Sequence, residues 1–201
     1  MKKIKKNVEK INKAIKKNNV AFDKATPNQQ RVMIAQDVLD QIKAKRYVAE
    51  SGTWVDAYYN DDDIKKTDSV QKLFAEHKIE SCRVCALGGL FMSCTNLNNN
   101  VSVKTLENIT GVTDCQNLGQ RISNNKKLPN GLNRIFSKEQ LILIETYFEA
   151  NSGWFIDRST SDTTSPDDFY DAYPDAYDRL VEIMENIIKN DGTFIPSKSE
   201  I

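Results

Sequence analysis

The stretch from Ser81 to Ser93 constrains the fold more than any other part of the chain. It holds Val84, Cys85, Ala86, Leu87, Leu90, Phe91 and Met92 and leaves no polar face. A helix that is apolar all round must be covered on every side, so this segment is expected as a buried helix in the middle of a domain. Gly88-Gly89 within it costs about 1 kcal/mol per glycine relative to alanine. That cost implies either close approach of another backbone or a break in the helix at the two glycines.

The surrounding segments carry helix signals of their own. Thr26-Pro27-Asn28-Gln29 offers an N-cap, a proline at the first helical position and a glutamine to close a capping box. Val32, Ala35, Val38, Leu39 and Ile42 then form a core-facing stripe ending near Lys45. Asp68 with Gln71 marks a further start, running to about His77. Short helices are expected over residues 102–108 and 115–123. Ser137-Lys138-Glu139-Gln140 is another capping box, with Leu141, Ile144, Tyr147 and Phe148 inward. A last helix from about Pro174 to Asn190 should bury Tyr177, Leu180, Val181, Met184, Ile187 and Ile188. Gly192 stands at its C′ position, and residues 193–196 read as a short extended tail. Tyr47-Val48-Ala49 and Thr53-Trp54-Val55 flank Ser51-Gly52 as a small extended turn. The sum is a mainly α, irregular single-domain fold of five to six helices around a buried central helix, with at most a small β element. Residues 1–20 form a basic amphipathic arm, 21–196 the helical domain and 197–201 a tail.

Charge is where composition enters the argument. The 201 residues carry 28 basic and 28 acidic side chains, yet these are segregated. Residues 1–50 hold 13 Lys or Arg against 5 Asp or Glu, and residues 151–201 hold 4 against 11. Ile4, Val8, Ile11 and Ile15 make one stripe of the first helix, and lysines fill its other faces. Its plain role is a surface helix resting on the body. Membrane-surface contact is the weaker alternative because the stripe lacks Trp and Phe. Nucleic acid is the other candidate partner, through the lysines, although overall neutrality argues against a dedicated nucleic-acid binder. No apolar run approaches the roughly 18 to 20 residues that span a bilayer. No signal-peptide core follows the first lysines, so a cytoplasmic location is expected.

Cys82-x2-Cys85 can be drawn with Cys94 and Cys115 as a four-thiolate zinc site. On one helix, however, Cys85 and Cys94 are about half a turn apart, so the expectation is free thiols, no metal and no cofactor. A redox CxxC lacks the alternating strands and helices of the thioredoxin context. A thiol nucleophile needs a base, and His77, the only histidine, is five residues before Cys82. Residues 157–168 can be laid on a calcium loop, but Asp162 stands where glycine is needed and Asp168 is short for position 12. Asp61-Asp62-Asp63 reads as a solvated run, with magnesium as the alternative. No phosphate loop, dinucleotide fingerprint, nucleophile elbow or HExxH occurs.

Four stretches carry a family likeness: residues 31–39 (Arg-Val-Met-Ile-Ala-Gln-Asp-Val-Leu), 82–91 (Cys-Arg-Val-Cys-Ala-Leu-Gly-Gly-Leu-Phe), 139–145 (Glu-Gln-Leu-Ile-Leu-Ile-Glu) and 179–196, ending Gly192-Thr193-Phe194-Ile195-Pro196. In that order the chain resembles a group of uncharacterised proteins encoded by bacteriophages and bacterial genomes, over residues 27–196. The resemblance brings no established activity. It implies a phage or mobile-element accessory protein, placed in the host cytoplasm. The expectation is a non-enzymatic protein that binds a host protein or a small signalling molecule, with a counter-defence role. Trp54, Tyr58, Tyr59 and Arg83 are the polar-aromatic candidates for ligand binding. The alternatives are an enzyme using Cys82 or Cys85, and a nucleic-acid or virion-associated protein using the basic helix.

Overall fold

The computed structural model describes residues 10, 13, 16–60, 63–98, 101–110, 118–125, 128, 130–149 and 165–196. The chain is mostly helical with one small three-stranded sheet. Residues 16–24 are helical and lead into α1 (Pro27–Lys43). There follow β1 (Tyr47–Ala49), β2 (Val55–Tyr59), α2 (Val70–Ala75), β3 (Ile79–Val84) and α3 (Ala86–Asn98). Next come α4 (Val103–Thr110), α5 (Leu118–Asn124), α6 (Leu132–Ile135), α7 (Lys138–Glu149), α8 (Pro166–Ala172) and α9 (Ala176–Lys189). Among the described residues the helices are thus more numerous than the five to six expected, with the short α6 and α8 added to those the sequence pattern marks.

The capping box of α1 forms in full: Thr26 accepts from the Gln29 backbone, and Gln29 accepts from the Thr26 backbone. α1 lays Ile34, Ala35, Val38, Leu39 and Ile42 against α3 and α9. Leu180, Ile183, Met184 and Ile187 are the matching buried stripe of α9. Burying each such side chain is worth about 2 kcal/mol, more than the capping terms supply. Tyr177 departs from expectation. It is 49% exposed in the first turn of α9, where the helix overhangs the core, and Arg179 is the buried residue instead.

Residues 81–84 are not helical. They belong to β3, and the helix begins only at Ala86. Ile79, Cys82 and Val84 face inward while Glu80 is exposed and Ser81 and Arg83 are half-buried. Every residue from Ala86 to Thr95 is buried. The strands run in the order β1-β3-β2, with β1 parallel and β2 antiparallel to β3. The two segments flanking Ser51-Gly52 therefore pair with β3 rather than with each other. A Cβ at Gly88 would lie 1.7 Å from the Trp54 carbonyl oxygen. The close backbone approach implied by Gly88 is real, and the entry to β2 lies flat on α3.

Two other readings shift by a residue or a partner. Ser69, not Asp68, caps α2, and Asp68 instead accepts from the Lys65 backbone. At α7 only half the capping box forms. Ser137 accepts from the Gln140 backbone, but the Gln140 side chain turns to the tail, accepting from Phe194 N at 2.7 Å and donating to Phe194 O at 3.2 Å. Asn186 grips Ile195 in the same two-sided way, at 2.8 Å on each side. Gly192, at φ 86°, has the backbone of Asn28 where a Cβ would stand, 2.6 Å away, so the turn after α9 seals onto the start of α1.

Candidate functional site

The outer face of the sheet gathers the exposed polar chemistry of the β element. Register places Asp56 opposite Arg83, Tyr58 opposite Ser81, and Val48 on the other side of Arg83. Side chains two apart on a strand share a face, so Asp56 and Tyr58 project together beside Arg83. Arg83, on the central strand, is tied on both flanks. Its Nη1 reaches the Glu50 carboxylate at 3.3 and 3.4 Å, and Nη2 donates to Asp56. The Tyr58 hydroxyl donates to Asp56 Oδ2 at 2.9 Å, and the guanidinium lies 5.3 Å from the Tyr58 ring centroid. Glu50 also accepts from Thr53 Oγ1 at 3.0 Å. Arg83 Nε is buried without an acceptor.

The electrostatics follow from these contacts. Hydrogen bonds from Arg83 and then Tyr58 hold the Asp56 carboxyl below its usual range, and the same Asp56 contact raises Arg83. The hydrogen bond to Asp56 raises the Tyr58 phenol. The patch is therefore a fixed arrangement of one guanidinium, two carboxylates and a phenol, with Val48 at 47% and Tyr58 at 41% exposure beside it. These groups can exchange hydrogen bonds and offer an aromatic face. Asp56 and Arg83 are held in their charged forms, so neither is poised to transfer a proton near neutrality.

The four residues singled out in the sequence divide between the two faces of the sheet. Tyr58 and Arg83 meet on the outer face. Trp54 is buried, its ring 5.3 Å from that of Phe91, and its indole N–H has no acceptor. Tyr59 follows a bulge in the β2–β3 pairing and is half-buried, and burial pushes its phenol up to about 12. Two surface hollows are formed by described residues. One of about 470 Å³ is lined by Ala21, Ala25, Val32, Met33, Lys24 and Asp191 among others, and one of about 320 Å³ by Glu149, Asp167, Tyr170 and Asp171. Neither includes any of the four. Glu50 and Asp56 are the partners that the sequence reading passed over. The signal for them was period two: Asp56 and Tyr58 share a parity, and Cys82 and Val84, alternating with Ser81 and Arg83, mark β3 as their neighbour.

The thiols are placed otherwise. Cys82, Cys85 and Cys94 are buried thiols. Burial pushes Cys82 and Cys94 up to about 12, so thiolate is scarce at neutral pH. Cys94 Sγ donates to Asn130 O at 3.3 Å, and Cys85 Sγ accepts from the Gly88 backbone at 3.4 Å. His77 is exposed, at φ 57° just past α2. Cys115 lies outside the described residues. Among the described residues no three His, Cys, Asp or Glu side chains come together as a metal-ligand set. Most of the calcium-loop pattern and of the Asp61–Asp63 run also lies outside them. Of that pattern, Ser165 and Asp168 are described, and they begin α8: the Ser165 hydroxyl accepts from the Asp168 backbone.

Four further charged groups, Asp37, Glu145, Glu149 and Arg179, tie elements of the fold together. Asp37 accepts from Gln41 and Asn96, each at 3.0 Å, and desolvation raises its carboxyl. Glu145 receives the backbone N–H groups of Leu118 and Gly119 at 2.7 and 2.8 Å and so caps α5. Glu149 accepts from Gly52 N, and burial pushes it up to about 7. Arg179 donates to Phe148 O, Tyr173 O, Pro174 O and Ser51 Oγ, which ties α7, the β1 turn and the start of α9 together. No helix among the described residues is long and apolar enough to cross a membrane. No protein-family model, no curated protein and no solved structure matches the chain, so the site is read from its own geometry.

Proposed function

We propose that this chain is a non-enzymatic binding protein that recognises a host protein through the outer face of its sheet. The observation that carries the reading is the Glu50–Arg83–Asp56–Tyr58 arrangement, which is preorganised, half-buried apart from the exposed Tyr58, and rimmed by the exposed Val48. Arginine and tyrosine are the side chains that most often dominate protein interfaces, and holding them in place before binding lowers the ordering cost. A charged and aromatic surface of this kind suits a protein partner, and none of its residues lines the hollows at Lys24–Asp191 or Glu149–Tyr170. The resemblance to phage and bacterial proteins adds the biological setting: an accessory protein of a phage or mobile element, acting in the host cytoplasm against a host defence. The buried, protonated thiols weigh against the cysteine-enzyme alternative.

The test compares the tagged chain with its Tyr58→Ala/Arg83→Ala variant in a bacterial host, after matching their thermal unfolding. A partner held by the parent and lost by the variant supports the reading. A partner held equally by both removes the sheet face as the site. Native mass spectrometry of the same preparations checks the other version, since a retained small molecule would show by its mass.

A further inference from the structure

The sheet face leaves the most basic part of the molecule without a role. Residues 1–24 hold nine lysines against Glu9 and Asp23. Of these lysines, Lys10, Lys13, Lys16, Lys17 and Lys24 are described, and all five are helical and exposed. At 100° per residue, Lys10, Lys13, Lys17 and Lys24 fall within about 60° of one another, along about 21 Å of axis. None of the five makes an ion pair among the described residues. The side about 150° away is anchored: Phe22 is fully buried, its carbonyl accepts from Gln30, and Asn19 accepts from Gln71. The helix is therefore pinned to the body by one side and presents a row of unpaired ammonium groups with the other.

We infer that this lysine row is a nucleic-acid-binding surface that takes the phosphate backbone of a duplex without reading its sequence. A linear row of single charges suits a linear polyanion, and each lysine placed on a phosphate releases a condensed counterion. Overall neutrality does not cancel the field at the row. The exposed acidic residues Asp167, Asp168, Asp171, Asp175 and Asp178 sit on α8 and the first turn of α9. That end of α9 lies beside Ser51, whereas its other end meets Asn28 and Arg31 at the start of α1, just after the basic helix. Asp178 to Asp191 is thirteen residues, or about 20 Å of helix, roughly twice the screening length of 8 to 10 Å near physiological salt. The acidic end would instead turn away from the polyanion and orient the protein on it. Two carboxylates among the described residues stand by the row: Asp23 is on the same helix, and Asp191 shares a hollow with Lys24 and is hydrogen-bonded by Asn28. A membrane surface is the poorer fit. Among the described residues of the helix, Val20, at 43% exposure, is the exposed large apolar side chain and Phe22 faces the body, and the Ile4-Val8-Ile11-Ile15 stripe has no Trp or Phe to anchor in an interface.

The test is fluorescence anisotropy of the full chain with a labelled 20-base-pair DNA duplex of mixed sequence, titrated from 20 to 200 mM KCl. The K10Q/K13Q/K17Q/K24Q variant should lower the magnitude of the slope of log K against log salt by about 3 to 4, at about 0.9 per phosphate contact. The corresponding lysine-to-arginine variant should keep it. The substituted side chains are exposed, so circular dichroism should show both variants folded. No duplex binding at 20 mM KCl, or an unchanged slope in the glutamine variant, overturns the inference. So does binding to phosphatidylserine vesicles without binding to the duplex. The Tyr58→Ala/Arg83→Ala variant should bind the duplex as the parent does, which keeps this outcome separate from the fate of the sheet face.

Discussion

Two adjacent glycines in α3 should respond in opposite directions to the same added methyl group. At Gly88 a Cβ would stand 1.7 Å from the Trp54 carbonyl oxygen and 2.9 Å from its carbonyl carbon. Restoring a contact of 3.0 Å or more means moving β2's entry or α3 by over about 1 Å. That seam is also where Cys85 N–H donates to Thr53 O at 2.6 Å, so the movement breaks a buried hydrogen bond as well. Overpacking costs about 1 to 3 kcal/mol, and an orphaned buried group about as much again. Gly88→Ala should therefore lose about 3 kcal/mol or more even after the helix-propensity gain. At Gly89 the nearest atoms to a Cβ are methyls of Val38 and Val84, at 3.6 to 3.8 Å, which is ordinary contact. There the alanine gains about 1 kcal/mol of helix propensity and buries a methyl worth up to about 0.8 kcal/mol. Gly89→Ala should be more stable than the parent by about 1 to 2 kcal/mol. Guanidinium unfolding followed by circular dichroism at 222 nm measures both. A stable Gly88→Ala, or two variants with the same sign, would refute the close packing of β2 on α3.

Other consequences are open to measurement. Burial favours the protonated form of Glu149, with its carboxyl pushed up to about 7, so the stability it contributes is complete below about 4.5 and lost as pH rises through 7. Glu149→Gln should thus unfold at higher denaturant than the parent at pH 8, by about 1 to 3 kcal/mol, and the gap should close by pH 4.5. An equal gap at both pH values would show that desolvation is not the cause. Cys82 and Cys94 should react with a maleimide at least about 100-fold more slowly in the native chain than in denaturant, as buried protonated thiols do. Native labelling of either at the denatured rate would reopen a reactive-thiol role. Gln140→Ala and Asn186→Ala should each cost about 1 to 3 kcal/mol and speed proteolysis after Phe194, since each amide holds both a donor and an acceptor of the tail.

What was legible in the sequence was local. The Thr26–Gln29 box, the inward face of α7 and the Leu180–Met184–Ile187 part of the α9 stripe each depend on residues within a few turns, and they appear where the pattern puts them. β3 was hidden because Val84-Cys85-Ala86-Leu87 runs strand and helix together as one apolar stretch, which periodicity cannot divide. The alternation of Cys82 and Val84 with the half-buried Ser81 and Arg83 was the available clue. Losing the strand also hid Glu50 and Asp56, since their value lies in a partner 33 and 27 residues away. Arg179 shows the limit of polarity as a guide to exposure. Its guanidinium finds four oxygens and two aromatic rings under the helix, so a charge can be buried while Tyr177 stays outside.

The strand order decides when the outer face of the sheet comes into being. β1 and β2 follow one another, yet neither has a partner until β3, synthesised after α2, slides between them. No early hairpin can present the surface in part, because Glu50 and Asp56 are brought to one guanidinium only by the strand that arrives last. A nascent, truncated or mispaired chain therefore displays two loose carboxylates and no Glu50–Arg83–Asp56 array. The array is complete only once β3 lies between β1 and β2.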